Sequence, residues 1–330
     1  MKSRIVRMYQ QGGPEVLMVE YAPVDEPGEG EIRIKVEAIG LNRAEILFRE
    51  GRYLETPPRP SRIGYEAAGI VDAVGSGVTG LKVGDRVSTI PSFSMGRYGV
   101  YGEHAIVPAY AAATYPERLS ATEGASIWMA YITAYGALID LANVGAHDTV
   151  LVTAATSSVG RAAIQIAKQA GATVIATTRS QAKQAALLAD GTDHVIIASP
   201  EHLAERVMSV TSGKGASVVF DPIGGPWLSA IAEAAAPGAT IIVYGFLSPE
   251  PTLYPVMPAM MKGLTVRGYV MLELVNDAPR LSRCKAHIGE GLGSGVLKPI
   301  IDRTFPLDQI ADAHRYMESN QQNGKIVVTV

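Results

Sequence analysis

Cysteine is nearly absent from this chain. Cys284 stands alone in 330 residues, which excludes an internal disulfide framework and any cysteine-rich zinc cluster. An excess of one charge is absent too. The chain has 29 Lys and Arg against 32 Asp and Glu, a net charge of −3, so it lacks the basic signature of a nucleic-acid binder. Long apolar runs are missing as well. The most apolar stretch, residues 121–142, is interrupted by Glu123, Gly124, Thr133, Gly136 and Asp140, and reads as a buried helix rather than a membrane span. The opening residues, Met1-Lys-Ser-Arg-Ile-Val-Arg-Met8, hold no apolar core of a secretion signal. Together with the single thiol they point to a cytoplasmic, reducing compartment. No internal repeat and no low-complexity tract is found. What remains is an ordinary globular composition, 47% apolar and 18% charged, at a length that suggests two domains.

The first third is strand-like. Glu31-Ile-Arg-Ile-Lys-Val-Glu-Ala-Ile39 alternates charged and apolar residues, the period-two mark of a strand with one wet face. Ala67–Val74, Asp85–Thr89 and Glu103–Val107 read as further strands. Gly75, Gly77, Gly80 and Gly84 punctuate them, as in a small barrel or folded sheet. A helix over residues 43–49 interrupts this region. Beyond about residue 122, strands around Val150, Val174, Val195, Val218 and Ile241 alternate with helical segments, which predicts a parallel doubly wound sheet. Leu264–Val270 reads as its last strand, and a helix follows over 279–289. Gly324-Lys-Ile-Val-Val-Thr-Val330 is a strand with no sheet of its own nearby, so it is expected to return to the first domain.

The densest local signal is Thr149-Val-Leu-Val-Thr-Ala-Ala-Thr-Ser-Ser-Val-Gly160 and the helix-period segment after it. An apolar strand enters a turn of small residues, a helix leaves it, and a second strand follows. In a dinucleotide site such a turn lets a pyrophosphate approach the backbone and the free N–H groups of the helix start. Ser157, Ser158, Val159 and Gly160 are the candidates. The turn lacks the first two glycines of the Gly-x-Gly-x-x-Gly pattern, so an ordinary parallel βαβ unit remains an alternative. About 20 residues on, where an NAD site places a carboxylate on the ribose, none is found. Thr178, Arg179, Ser180 and Lys183 stand there instead. Hydrogen-bond donors and positive charge suit a 2′-phosphate, which favours NADPH; solvated charges at a helix start are the other reading. Gly245 and Phe246 follow a strand end, where ligands sit in open α/β sheets. Asp221, before Pro222 and a Gly pair, either caps a helix or touches the cofactor. The histidines at 104, 147, 194, 202, 287 and 314 show no ligand spacing.

Six short segments in order, Gly12-Gly-Pro-Glu-Val-Leu17, Ala38-Ile-Gly-Leu-Asn42, Gly64-Tyr-Glu-Ala-Ala-Gly69, Val83-Gly-Asp-Arg-Val87, the turn 154–160 and Asp221-Pro-Ile-Gly-Gly225, carry a resemblance. Over nearly its whole length the chain resembles the medium-chain dehydrogenase/reductase superfamily, most of all its zinc-independent quinone oxidoreductase branch. The resemblance implies a GroES-like β-barrel catalytic domain over 1–121 and a Rossmann domain over 122–270, with a cleft between them. Residues 271–330 would return to the catalytic domain. It implies a homodimer paired through the last Rossmann strand.

The same resemblance puts Asn42 and Thr133 beside the nicotinamide. It matches Lys325 to a segment that closes on the cofactor; a solvated strand-edge lysine is the alternative. Zinc enzymes of the superfamily have ligands where this chain has Asn42, Tyr65 and Met129, none of which is a normal zinc donor. No metal is therefore expected. Leu47 replaces a tyrosine that many quinone oxidoreductases carry near the nicotinamide. Asn42, Tyr53, Tyr65 and Tyr131 remain as catalytic candidates, with core packing the competing role for each tyrosine. The expected activity is NADPH-dependent reduction of a small apolar conjugated carbonyl, a quinone or an activated alkene, with neither nucleic acid nor membrane as partner. The loops 52–62 and 249–261, rich in Pro, Met and Tyr, suit an apolar pocket. An enoyl-thioester reductase and a non-catalytic NADPH-binding protein are the alternatives.

Overall fold

The computed structural model describes residues 2–197 and 199–330. The chain divides into two compact units, Met1–Met129 with Pro299–Val330, and Ala130–Lys298. The division differs from the expected one. The first unit runs to Met129 rather than residue 121, and the chain rejoins it at Pro299 rather than at residue 271. The reason lies in long-range bonds of the segment between. Arg280 pairs with Asp140 at 2.5 Å, and the Lys298 N–H donates to Gln165 at 2.8 Å.

In the first unit, β1 (Lys2–Arg7) and β2 (Met18–Pro23) form an antiparallel pair. The larger sheet is built from β3 (Glu31–Gly40), β4 (Glu66–Val74), β5 (Arg86–Thr89), β6 (His104–Pro108) and β7 (Ala112–Thr114). Its centre is β3, which is antiparallel to both β4 and β6. The alternation of β3 does what its pattern requires: Ile32 and Ile34 are fully buried and Val36 nearly so, facing a core with Phe48, Val71 and Val87. The C-terminal strand lies on the opposite side of β3 from β4.

In the second unit, β8 (Thr149–Val152), β9 (Thr173–Thr178), β10 (His194–Ile197), β11 (Ala216–Asp221), β12 (Ala235–Val243) and β13 (Thr265–Gly268) form one sheet. Their spatial order is β10-β9-β8-β11-β12-β13, every pair parallel. The strand order reverses between β8 and β11. In open parallel sheets the carboxyl ends at such a reversal are where nucleotides bind. The stretch expected as one buried helix is three pieces: Ala121–Gly124, Trp128–Tyr135, and a π-helical turn, Gly136–Leu141.

The chain closes with β14 (Ile301–Pro306) and β15 (Lys325–Thr329). The strand β15 pairs parallel with β14 and antiparallel with β3, completing the first unit's sheet as the tail pattern required.

Candidate functional site

Two groups of polar residues stand out, one in each unit. In the second unit, Thr153 leaves β8 and the backbone turns through Ala154, whose φ is +46°. Ser157 then caps the helix Ser158–Gln169, its hydroxyl accepting the Gly160 N–H at 3.0 Å. The first N–H groups of a helix have no intrahelical partner, and at this helix start they are those of Ser158 and Val159. Gly160 is needed for the packing. A Cβ there would lie 2.7 Å from the Ala155 Cα and 2.8 Å from the Ala154 carbonyl oxygen.

The turn is braced from β11. Asp221 is fully buried; it accepts the Thr153 hydroxyl, and the Gly224 N–H at 2.8 Å. Burial pushes its carboxyl upward, against those two bonds. Asp221 therefore ties the ends of β8 and β11 together across the strand-order reversal. It caps no helix, because the next one begins only at Trp227. Tyr244 stacks on Phe220 at 3.9 Å. Thr153 and Tyr244 escaped the sequence reading, since neither belongs to a glycine pattern.

At the end of β9, Thr178 is buried and accepts the Ser180 N–H at 3.2 Å. Arg179 is exposed, and the described residues offer it no ion pair or hydrogen bond. Lys183 is half-buried in the single turn Gln181–Lys183. Gly245 packs on Pro222, where a Cβ would lie 3.0 Å from the carbonyl oxygen, and Phe246 is exposed. Thr133 is buried in the helix Trp128–Tyr135. Tyr131 is buried and donates to Gln165 Oε1 at 2.8 Å, the same oxygen that accepts the Lys298 N–H. Its hydroxyl is engaged in packing, the competing role considered for it.

In the first unit Asn42 precedes the helix Arg43–Arg49. Glu45, three residues on, reaches back to accept the Asn42 N–H at 2.7 Å and the Tyr65 N–H at 3.2 Å. The Asn-x-x-Glu spacing is a capping-box signal legible in the sequence, and it identifies Glu45. Glu66 accepts the Asn42 amide at 3.0 Å, the Met129 N–H at 2.8 Å and the Lys325 ammonium. Lys325 also donates to Asn42 Oδ1 at 2.6 Å. Lys325 is neither exposed nor at a wet strand edge: only 1% of its surface is accessible. Its ammonium is held by side chains of this same unit. Tyr65 is buried and Tyr53 half-buried; their rings meet edge-on at 6.2 Å. Burial raises both phenols above their ordinary range.

Residues 28–117 match the family described as alcohol dehydrogenase GroES-like domain, and residues 158–285 the family described as zinc-binding dehydrogenase. The human quinone oxidoreductase is 30% identical over 332 residues, spanning 98% of this chain and 97% of that protein. The chain belongs to the medium-chain dehydrogenase/reductase superfamily, in its quinone oxidoreductase-like branch. Among solved structures, an NAD-dependent alcohol dehydrogenase superposes with a TM-score of 0.92 at 34% identity, covering 99% of each chain. A mycobacterial protein complexed with NADPH superposes with a TM-score of 0.90 at 29% identity, covering 99% of this chain and 100% of that one. The GroES-like and Rossmann folds of this superfamily correspond to the first and second units. At the positions the resemblance gives to zinc ligands, Asn42 and the backbone N–H groups of Tyr65 and Met129 are instead bonded to Glu45 and Glu66.

Proposed function

We propose that this protein is an NADPH-dependent reductase of quinones or activated alkenes, acting by direct hydride transfer without zinc. The observation that carries the cofactor choice is Arg179. It is an exposed guanidinium, without a partner among the described residues, at the end of β9, where an NAD site would hold a carboxylate. The turn 153–160 fits a pyrophosphate: a glycine whose Cβ would clash with backbone, a capped helix start, and helix-start N–H groups that have no intrahelical partner.

Bound there, the cofactor supplies a hydride to an electron-poor carbon of a conjugated acceptor. Ser158, Val159 and Gly160 would hold its pyrophosphate, and Thr178, Arg179, Ser180 and Lys183 its 2′-phosphate. Gly245 and Phe246 would line the nucleotide, and the resemblance assigns Asn42 and Thr133 to the nicotinamide end. Asn42, Tyr65 and Met129 offer an amide, a phenol and a thioether, not a zinc donor set. That chemistry favours an acceptor that needs no Lewis acid. A quinone or α,β-unsaturated carbonyl delocalises the charge it receives, and water protonates the resulting oxyanion. Leu47 leaves no dedicated acid at the usual place, and Tyr53, Tyr65 and Tyr131 are the candidate substitutes. The protein's contribution is position and exclusion of water.

The test is Arg179→Ala. NADPH affinity is expected to fall by about ten- to a hundredfold, the worth of roughly 1.5–3 kcal/mol for a charge-assisted contact, while NADH affinity hardly changes. Equal losses for the two cofactors, measured by titration of intrinsic fluorescence, would remove the basis for the NADPH assignment.

A further inference from the structure

Lys325 is a charged side chain with almost no accessible surface. Taking an ammonium out of water is costly unless it is both paired and hydrogen-bonded. Here it is both, and its partners are arranged around Asn42. A carboxylate only accepts and an ammonium only donates. Glu66 at 3.0 Å, with weaker help from the Gly40 carbonyl at 3.3 Å and Glu45 at 3.4 Å, therefore fixes which end of the Asn42 amide is the nitrogen, and Lys325 fixes which end is the oxygen, at 2.6 Å. Rotating the amide by half a turn would set N–H against ammonium and oxygen against carboxylate. The backbone is cut to admit the lysine. A Cβ at Gly40 would lie 2.8 Å from the Lys325 Cε and 1.9 Å from the Ala125 carbonyl oxygen. Gly40 pairs with Val327 across β3 and β15, so the glycine opens a passage for the stem of Lys325, two residues earlier on β15.

We propose that Lys325 is a positioning residue for Asn42: with Glu66 it locks the side-chain amide in one orientation, as a built-in cation beneath the residue that serves the nicotinamide. This rests on the placement of Asn42 in the reductase reading above. Lys325, almost without accessible surface, acts through Asn42.

A plain stabilising pair and a positioning pair differ in what neutralisation restores. Lys325→Met alone leaves Glu66 buried without its counter-charge and should lower the melting temperature. Lys325→Met with Glu66→Gln removes both charges while keeping the shapes, and should recover most of that loss. The locking donor to Asn42 Oδ1 is still missing, so kcat should stay down by about tenfold or more, as for a misplaced reacting group. The Kd for NADPH should stay within about threefold. In an Asn42→Ala background the same pair of changes should cost less than about a further twofold, because residues that act as one unit are not additive. Recovery of kcat in step with the melting temperature would overturn the proposal, and so would a full multiplicative loss in the Asn42→Ala background. An Asn42→Ala variant with parental kcat would overturn it together with the placement of Asn42.

If the parent protein turns over no acceptor, the reductase reading fails and orientation is decided by NMR. The Asn42 side-chain amide signal, assigned by its loss in Asn42→Ala, should exchange with solvent at least about tenfold faster in the neutral double variant. Unchanged exchange at a recovered melting temperature would refute the lock.

Discussion

Glu45 has no exposed surface, and burial pushes its carboxyl up from 4.5 to about 7, although Lys325 and the N–H groups of Asn42 and Tyr65 pull the other way. The folded protein therefore holds a proton that the unfolded chain releases near its ordinary value. The stability this contributes is fully present below pH 4.5 and is lost as pH rises through about 7. Its size is roughly 3 kcal/mol. His314 works in the opposite sense: full burial lowers it to about 3, so its contribution is lost as pH falls toward that value. The two windows overlap, so the slope of one variant against the parent is the informative quantity. Denaturant unfolding of Glu45→Gln should show the parent's advantage falling by roughly 3 kcal/mol between pH 4.5 and 7. A difference that is flat with pH would mean that Glu45 is ionised throughout. At this scale the sequence was partly legible. Asn42 and Lys325 were singled out, and Glu45 stands at a readable cap spacing. That Lys325 would turn inward onto Glu66 was not legible, because the two lie 259 positions apart and meet only through β15, β3 and β4.

The turn after β8 is where local chemistry and fold meet most tightly. Gly160 sits at the first turn of its helix with backbone, not flexible side chains, against the place of its missing Cβ. Replacement by Val should destabilise the second unit by about 1–3 kcal/mol, as overpacking does, and weaken nucleotide binding beyond that loss. Thermal unfolding with and without NADPH checks both; an unchanged melting temperature would show that the turn has slack. Strands with strict alternation, such as β3, and the apolar runs of the parallel sheet were legible because burial dictates their pattern. The pair β1 and β2 and the strand β14 were not. Ile301-Asp-Arg-Thr-Phe-Pro306 has no alternation, is largely exposed, and is a strand only because β15 lies beside it. The helix Ala278–Ser294 was visible as a helix, but its allegiance was not. That depends on the long-range contact of Arg280 with Asp140.

At the scale of the whole molecule, β13 is the outer strand of the six-stranded sheet, paired on one side by β12 alone. The segment leading into it exposes Leu253, Tyr254, Val256, Met257, Met260 and Met261, each more than half accessible. An open sheet edge beside contiguous apolar surface is an aggregation hazard that a twofold partner removes. The protein is therefore expected to sediment as a homodimer at micromolar concentration. Val266→Pro, which deletes an N–H from that edge, is expected to shift it toward monomer; a parent that is strictly monomeric would contradict this. The account's central claim is the transfer of hydride from NADPH to a conjugated acceptor, and isotope tracing reads it most directly. NADPH carrying deuterium at both positions of nicotinamide C4 is incubated with chelator-treated protein and an α,β-unsaturated ketone. The account predicts saturated ketone with the deuterium on its β-carbon, formed at the rate of the untreated protein. NADPH that binds but is not consumed, deuterium missing from that carbon, or activity that the chelator abolishes would contradict it.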